Sequence, residues 1–183
     1  MEIKITTPIT KEVRENLKAG DSVLISGVIY TARDAAHERM TRLKKDGVDY
    51  PVDIKDQIIY YAGPCPAKPG EVIGSCGPTT AGRMDAYTPE LLDAGLGAMI
   101  GKGVRTKEVM DAIKRNKCVY FGAIGGAGAL IAECIKKAEV VAYDDLGTEA
   151  IRRLEVDDFP AVVLVDCEGN DLYETGQKAY REI

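Results

Sequence analysis

Three short stretches of this sequence set cations and hydroxyls where a strand or loop gives way to a helix or turn. The first is Gly77-Pro78-Thr79-Thr80-Ala81-Gly82-Arg83-Met84-Asp85. With Pro78 at a first helical position, the spacing predicts Thr79 and Arg83 one turn apart on one helix face. Unpaired backbone N–H groups of that turn would face an anion. The guanidinium could grip a carboxylate through two parallel hydrogen bonds. The plain alternative is a capped helix with Arg83 and Asp85 in solvent. The second stretch is Tyr30-Thr31-Ala32-Arg33-Asp34-Ala35-Ala36-His37-Glu38-Arg39. A cation in a first helical turn opposes the helix dipole, so Arg33 invites a functional explanation. His37, the only histidine in the sequence, shares its helix face. A lone histidine is more often structural than catalytic, and by itself it makes no metal site. The third is Ile100-Gly101-Lys102-Gly103-Val104-Arg105, whose glycines let a backbone approach a ligand closely and leave Lys102 unobstructed; a simple surface turn is its alternative.

What these stretches lack narrows the chemistry. Ile100–Arg105 is no P-loop, because Leu96 stands where a glycine belongs and Gly103 follows the lysine in place of Ser or Thr. The glycine-rich run Gly122–Gly128 fails the dinucleotide fingerprint, since Ile131 occupies the third glycine position. There is no convincing Ser-His-Asp or Cys-His arrangement and no metal-ligand cluster. Arg33, Arg83 and Lys102 with the hydroxyls of Thr79 and Thr80 can hold a dianion, but the set offers no electrophile; a partner or cofactor would have to bring one.

The elements that must position these residues read as an alternation of branched apolar runs and helical patterns, an α/β or mixed α+β domain. Strands are predicted at Met1–Ile5, Val23–Tyr30, Ile58–Ala62, Gly97–Ile100, Cys118–Phe121, Val140–Tyr143 and Ala161–Asp166. Helices are predicted from Ala32 to about Lys45 with Thr31 as N-cap, from Pro78, at Pro89–Ala94, Thr106–Asn116 and Leu130–Lys137, and at Glu149–Leu154 capped by Thr148. Gly63–Gly77 is loop, Gly169-Asn170 is a hairpin turn into a strand at Leu172–Glu174, and the last residues are a short polar helix or a frayed end.

The bulk numbers agree with one domain of 183 residues. A net charge of −5 gives no support for nucleic-acid or membrane-surface binding. No stretch approaches the roughly 20 apolar residues of a membrane span, and the N-terminus lacks the apolar block of a signal peptide, so the expectation is a cytoplasmic protein. The five cysteines, Cys65, Cys76, Cys118, Cys134 and Cys167, form no CxxC pair and read as small buried hydrophobes.

At the same residues the sequence resembles the β subunit, equivalently the C-terminal domain, of class I fumarases and L(+)-tartrate dehydratases. The resemblance is carried by GDSVLISGVIYTARDAAHERM (Gly20 to Met40), YYAGPCPAKPGEVIGSCGPTTAGRMDAY (Tyr60 to Tyr87), IGKG (Ile100 to Gly103) and GTEAIRRLEVDDFPAVVLVDCEGND (Gly147 to Asp171). Many members continue IGKG with asparagine where this chain has Val104. The resemblance implies a mixed α/β fold, a swivelling β/β/α domain spanning residues 1–183 that closes over a cluster-bearing domain. It implies a 4Fe-4S cluster in the partner, none bound by this chain, with one iron as Lewis acid. It implies Thr79 as base, Arg33, Arg83 and Lys102 as the grip on substrate carboxylates, Asp34 and His37 as residues that orient Arg33, and Thr80 and Asp85 as supporting positions. The implied reaction is reversible hydration of fumarate to malate with a cluster-bearing α subunit, as a heterodimer or α2β2 assembly. Dehydration of L(+)-tartrate is the alternative, and a non-catalytic dicarboxylate-binding or scaffold subunit is the alternative of another class.

Overall fold

The computed structural model describes residues 2–178, 180 and 181. In chain order the elements are β1 (Ile3–Thr6), α1 (Lys11–Asn16), β2 (Ser22–Thr31), α2 (Asp34–Lys45), β3 (Ile58–Tyr60), a 3-10 turn (Ala81–Met84), α3 (Thr88–Asp93), β4 (Ala98–Gly101), α4 (Lys107–Asn116), β5 (Val119–Gly122), α5 (Gly128–Cys134), β6 (Ile135–Ala142), a second 3-10 segment (Asp144–Glu149), β7 (Ile151–Val165) and α6 (Leu172–Lys178). The mixed α/β class expected from the sequence is what forms.

Strands β1 to β5 run parallel, β1 and β3 following one another along one edge of β2. The 15-residue β7 closes the sheet. It runs antiparallel to β2 from Ser22↔Val162 to Thr31↔Arg152, and its last residues pair with β5. Strands β2, β3, β4, β5 and β7 thereby form a ring, with β6 added outside on β7. Closure removes the open edges that β2 and β5 would otherwise present.

The alternation of side chains along each strand divides the core in two. Ile25, Ile29, Ile58, Tyr60, Ile100, Phe121 and Phe159 face the inside of the ring. Ile59, Tyr61, Met99 and Tyr120, one residue out of phase, face α2, α3 and α4 through Ala36, Met40, Leu91, Val109 and Ile113. Both faces of β3 and β4 are therefore buried, which is why these strands read as unbroken apolar runs. Inside the ring the Tyr60 ring meets Phe159 edge-on at 5.2 Å, and its hydroxyl donates to Cys76 O at 2.6 Å. Each such large side chain contributes roughly 1.5–3 kcal/mol by burial.

Several expectations are corrected. Thr31 does not cap α2; it is the last residue of β2, and its Oγ1 accepts from Arg152 N–H at 3.2 Å. Arg33 holds the N-cap position instead, with φ −117° and ψ −166°. Pro78 starts no helix: helical turns begin only at Ala81. The helix expected at Leu130–Lys137 ends at Cys134, and Ile135 opens β6. No helix forms at Glu149–Leu154, where a 3-10 segment gives way to β7. The turn at Gly169-Asn170 exists, but Leu172 begins α6, not a strand. Of the terminal residues, 179, 182 and 183 lie outside those described. No helix among the described residues is long and apolar enough to cross a membrane.

Candidate anion-binding site

Parallel strands deliver the residues that follow them to one end of the sheet, where ligands of α/β proteins gather. Arg33 lies two residues beyond the end of β2, Tyr61 follows β3, Lys102 follows β4, and Ala123 follows β5 with its N–H on Gly101 O at 3.0 Å. The segment carrying Thr79 and Arg83 crosses these strand ends. Thr79 N–H donates to Tyr61 O at 2.8 Å, Thr80 bridges Lys102 in parallel fashion, and Ala81 N–H donates to Lys102 O at 2.9 Å. Residues remote in sequence thus meet at one edge.

The expected geometry of the Thr79–Arg83 segment is partly overturned. Thr79 is extended chain, not the first turn of a helix, so it does not share a helix face with Arg83. The Thr79 and Ala81 N–H groups are engaged with backbone carbonyls and are no anion cradle. What the segment offers an anion is side chains.

Arg33 and Arg83 share one carboxylate. Asp34 places Oδ1 3.6 Å from Arg33 Nε and Oδ2 3.6 Å from Arg83 Nη1. Glu149 joins from the far side, with Oε1 3.3 Å from Arg33 Nη2 and Oε2 accepting the Ala35 N–H at 3.0 Å. Arg33 is therefore not set against an undefended helix dipole. Two carboxylates gather at the start of α2, one of them accepting a first-turn N–H. The Arg33–Asp34 pairing is longer than a hydrogen bond. Arg33 Nε and Asp34 Oδ1 are buried and make no hydrogen bond among the described residues. Gly63 provides room for this guanidinium: a Cβ there would lie 3.0 Å from Arg33 Cδ and Nη1. Two guanidinium groups are balanced by two carboxylates. Lys102, exposed and in no ion pair among the described residues, adds the surplus positive charge. Its ammonium lies over the loop after β5, 3.6 Å from where a Cβ on Gly125 would sit.

Behind this exposed edge the polar residues are buried. His37 is fully enclosed, its ring edge-on to Tyr61 at 5.4 Å. Burial pushes its pKa down to about 4, against a backbone hydrogen bond to Arg33 that favours the charged form. A neutral ring with Nδ1 2.8 Å from Arg33 O donates to that carbonyl. Asp85 is also buried; its Oδ1 accepts from Arg105 Nε at 2.7 Å and its Oδ2 from Thr106 N–H at 2.7 Å. Thr80 is exposed beside Lys102. Sequence reasoning missed Glu149, which it put in a helix, and the inward-facing Arg105. Gly63 was visible only as one of many glycines in a loop.

Among the described residues no group of three or more His, Cys, Asp or Glu could hold a metal ion. Burial pushes the thiols of Cys76 and Cys118 up to about 12, far from the thiolate that binds metal. These donors do not fit an iron–sulfur cluster. A cavity of about 620 Å³ beside Cys65, Ile73, Ala132 and Ile135 is lined by none of Arg33, Thr79, Arg83 or Lys102. We place the candidate chemistry at the strand ends, because paired cations and unsatisfied polar atoms converge there and not in that cavity.

The sequence is similar to known proteins along most of its length. The chain is 45% identical over 152 residues to "Fumarate hydratase class I, aerobic" of Escherichia coli (strain K12), covering 82% of this chain and 28% of that protein. It is 41% identical over 179 residues to "Fumarate hydratase 2" of Leishmania major, covering 94% and 31%. The chain thus spans about 30% of the length of these fumarate hydratases. With "Putative L(+)-tartrate dehydratase subunit beta" of Methanocaldococcus jannaschii it shares 38% identity over 182 residues, 96% of this chain and 93% of that subunit. The family model described as Fumarase C-terminus matches residues 1–176, and to that family this chain belongs.

Proposed function

We propose that residues 1–183 act as one domain, the cluster-free subunit of a two-part hydro-lyase that hydrates fumarate reversibly to malate. The observation that carries this reading is the sharing of Asp34 by Arg33 and Arg83, at the same strand ends as Thr79 and Lys102, which is in no ion pair among the described residues. A substrate carboxylate can take up the two guanidinium groups that Asp34 holds only loosely, and Lys102 can meet the second carboxylate. Charge-assisted pairs of this kind strengthen when a closing partner excludes water.

In the dehydration direction the Thr79 oxygen, once its hydroxyl has given up its own proton to a relay or solvent, would take the proton from the carbon next to the one that loses hydroxide, leaving the double bond between them. A threonine hydroxyl is a poor base, so nearby cations must favour its oxyanion. Lys102 is the candidate: its carbonyl accepts the Ala81 N–H, two residues beyond Thr79, which ties its backbone to that segment. Lewis acidity toward the departing hydroxide is what an iron–sulfur cluster held by the α partner would supply. The assembly would be a heterodimer or α2β2.

Dehydration of L(+)-tartrate is the second reading. One relative that this chain matches almost end to end is named a putative tartrate dehydratase subunit. The test is to purify the chain with its cluster-bearing partner and assay fumarate, malate and both tartrate enantiomers. Turnover abolished by Thr79→Val is the expected result. Binding of these acids without turnover would support a non-catalytic subunit and overturn the hydro-lyase reading.

A further inference from the structure

Behind the site, one guanidinium touches the chain segments that carry its separate parts. Arg105 is wholly enclosed, with side-chain exposure of 0%. Its Nε donates to Asp85 Oδ1 at 2.7 Å, two residues beyond Arg83. Nη2 donates to Thr88 Oγ1 at 3.0 Å and to the Tyr61 hydroxyl at 3.4 Å. Its Cζ lies 4.8 Å from the Tyr120 ring centre and 5.4 Å from that of Tyr61. Each contact leads outward. Asp85 ends the turn that bears Arg83. The Tyr61 carbonyl holds the Thr79 N–H, and its ring meets His37, which holds the Arg33 carbonyl. The Tyr120 hydroxyl donates to Gly103 O at 3.0 Å, beside Lys102, and Arg105 lies three residues from Lys102 on the same loop.

We propose that Arg105 is the positioning residue of this site: its buried planar fork sets the spacing of Thr79, Arg83 and Lys102. The inference rests on the hydro-lyase reading and adds a residue to it. A need for stability alone does not account for this arrangement, because a buried ion pair stabilises little relative to well-packed apolar groups. An apolar side chain lacks donors altogether. An ammonium is a point charge that cannot reproduce a planar fork bonded to Asp85, Thr88 and Tyr61 at once.

The test compares wild type with Arg105→Lys, each purified with its cluster-bearing partner and assayed on fumarate, malate and both tartrate enantiomers. Thermal melting and circular dichroism report the folded fraction. Misplacement of base and clamp together lowers kcat per folded complex and raises KM, for a combined loss of about 100-fold in kcat/KM. A purely structural role lowers apparent kcat only in proportion to the folded fraction and leaves KM unchanged; that result overturns the proposal, as does kcat/KM within threefold of wild type. Should Arg105→Lys not fold, Thr88→Val removes a single acceptor of the fork. A roughly fivefold loss with raised KM is then expected, and unaltered kinetics overturn the proposal. Wild-type complex inactive on all four acids sinks the hydro-lyase reading and this inference with it. Active wild type beside equally active Arg105→Lys sinks this inference alone.

Discussion

Replacing Arg83 by Met separates the clamp from the fold. The Arg83 side chain is 57% exposed, and its one ion pair among the described residues, to Asp34, spans 3.6 Å. Exposed pairs of this kind contribute about 0–1 kcal/mol, and 1 kcal/mol moves the Tm of a domain this size by about 2–4 °C. Methionine keeps most of the aliphatic stem, so the folded chain should barely register the change. The substrate should register it strongly. Losing two charge-assisted hydrogen bonds to a desolvated carboxylate costs about 3 kcal/mol, the low end for two bonds of that type, since Arg83 keeps part of its exposure. At about 1.4 kcal/mol per decade this is a loss of roughly 150-fold in kcat/KM. The assay follows the ultraviolet absorbance of the conjugated double bond in complex purified with its partner. The control is Arg115→Met at the opposite end of α4, which breaks a shorter surface pair to Asp93 (2.6 Å) and should leave kcat/KM unchanged. Arg83→Met activity within threefold of wild type would falsify the clamp. A Tm loss of about 10 °C or more would show that Arg83 acts on the fold instead.

Two further perturbations probe the same machinery. Gly63→Ala places a Cβ 3.0 Å from Arg33 Cδ and Nη1 and 3.2 Å from Thr148 O, so the guanidinium must shift by a few tenths of an ångström; kcat/KM should fall about tenfold, and unchanged kinetics would mean that Arg33 holds nothing in place. His37 ties stability to pH: with its folded pKa at about 4 against 6.5, the unfolded chain binds the extra proton between those values. Stability is complete above pH 6.5, falls as pH drops below it, and levels off near 4. Between pH 7.5 and 5, urea titrations of wild type should therefore lose about 2 kcal/mol more than those of His37→Gln, about 1.5 pH units at roughly 1.4 kcal/mol each. Equal losses would mean that the ring ionises freely inside the fold.

The legible parts of the sequence were those fixed by local pattern. Strands β2 to β5 and helices α2 and α4 are periodic and bounded by turn residues, and the structure places them within a few residues of expectation. The residues thought to meet an anion, Arg33, Thr79, Arg83 and Lys102, do come to one end of the sheet. The reason differs from the one local spacing suggested. Thr79 and Arg83 are related by chain crossing the strand ends, not by helical periodicity, and no window of sequence reveals that the Tyr61 carbonyl takes the Thr79 N–H. Residues 149–160 misled most. Glu149-Ala150-Ile151-Arg152-Arg153-Leu154 has the charge pattern of an exposed helix, yet Ile151–Val156 is strand because β2 and β6 flank it on both sides. Pairing partners more than 100 residues away along β2 override local preference there. Glu149 was lost as a site residue for the same reason.

The late position of β7 bears on how the molecule comes to be made. Until residue 165 has left the ribosome, the strand that shuts the ring is missing, and β2 and β5 each show a bare row of hydrogen-bonding groups to whatever is near. Synthesis at about 5–20 residues per second leaves that exposure open for seconds. A nascent chain stalled before Ile151 would be a sticky half-barrel, and chaperone capture during translation should concentrate on this window.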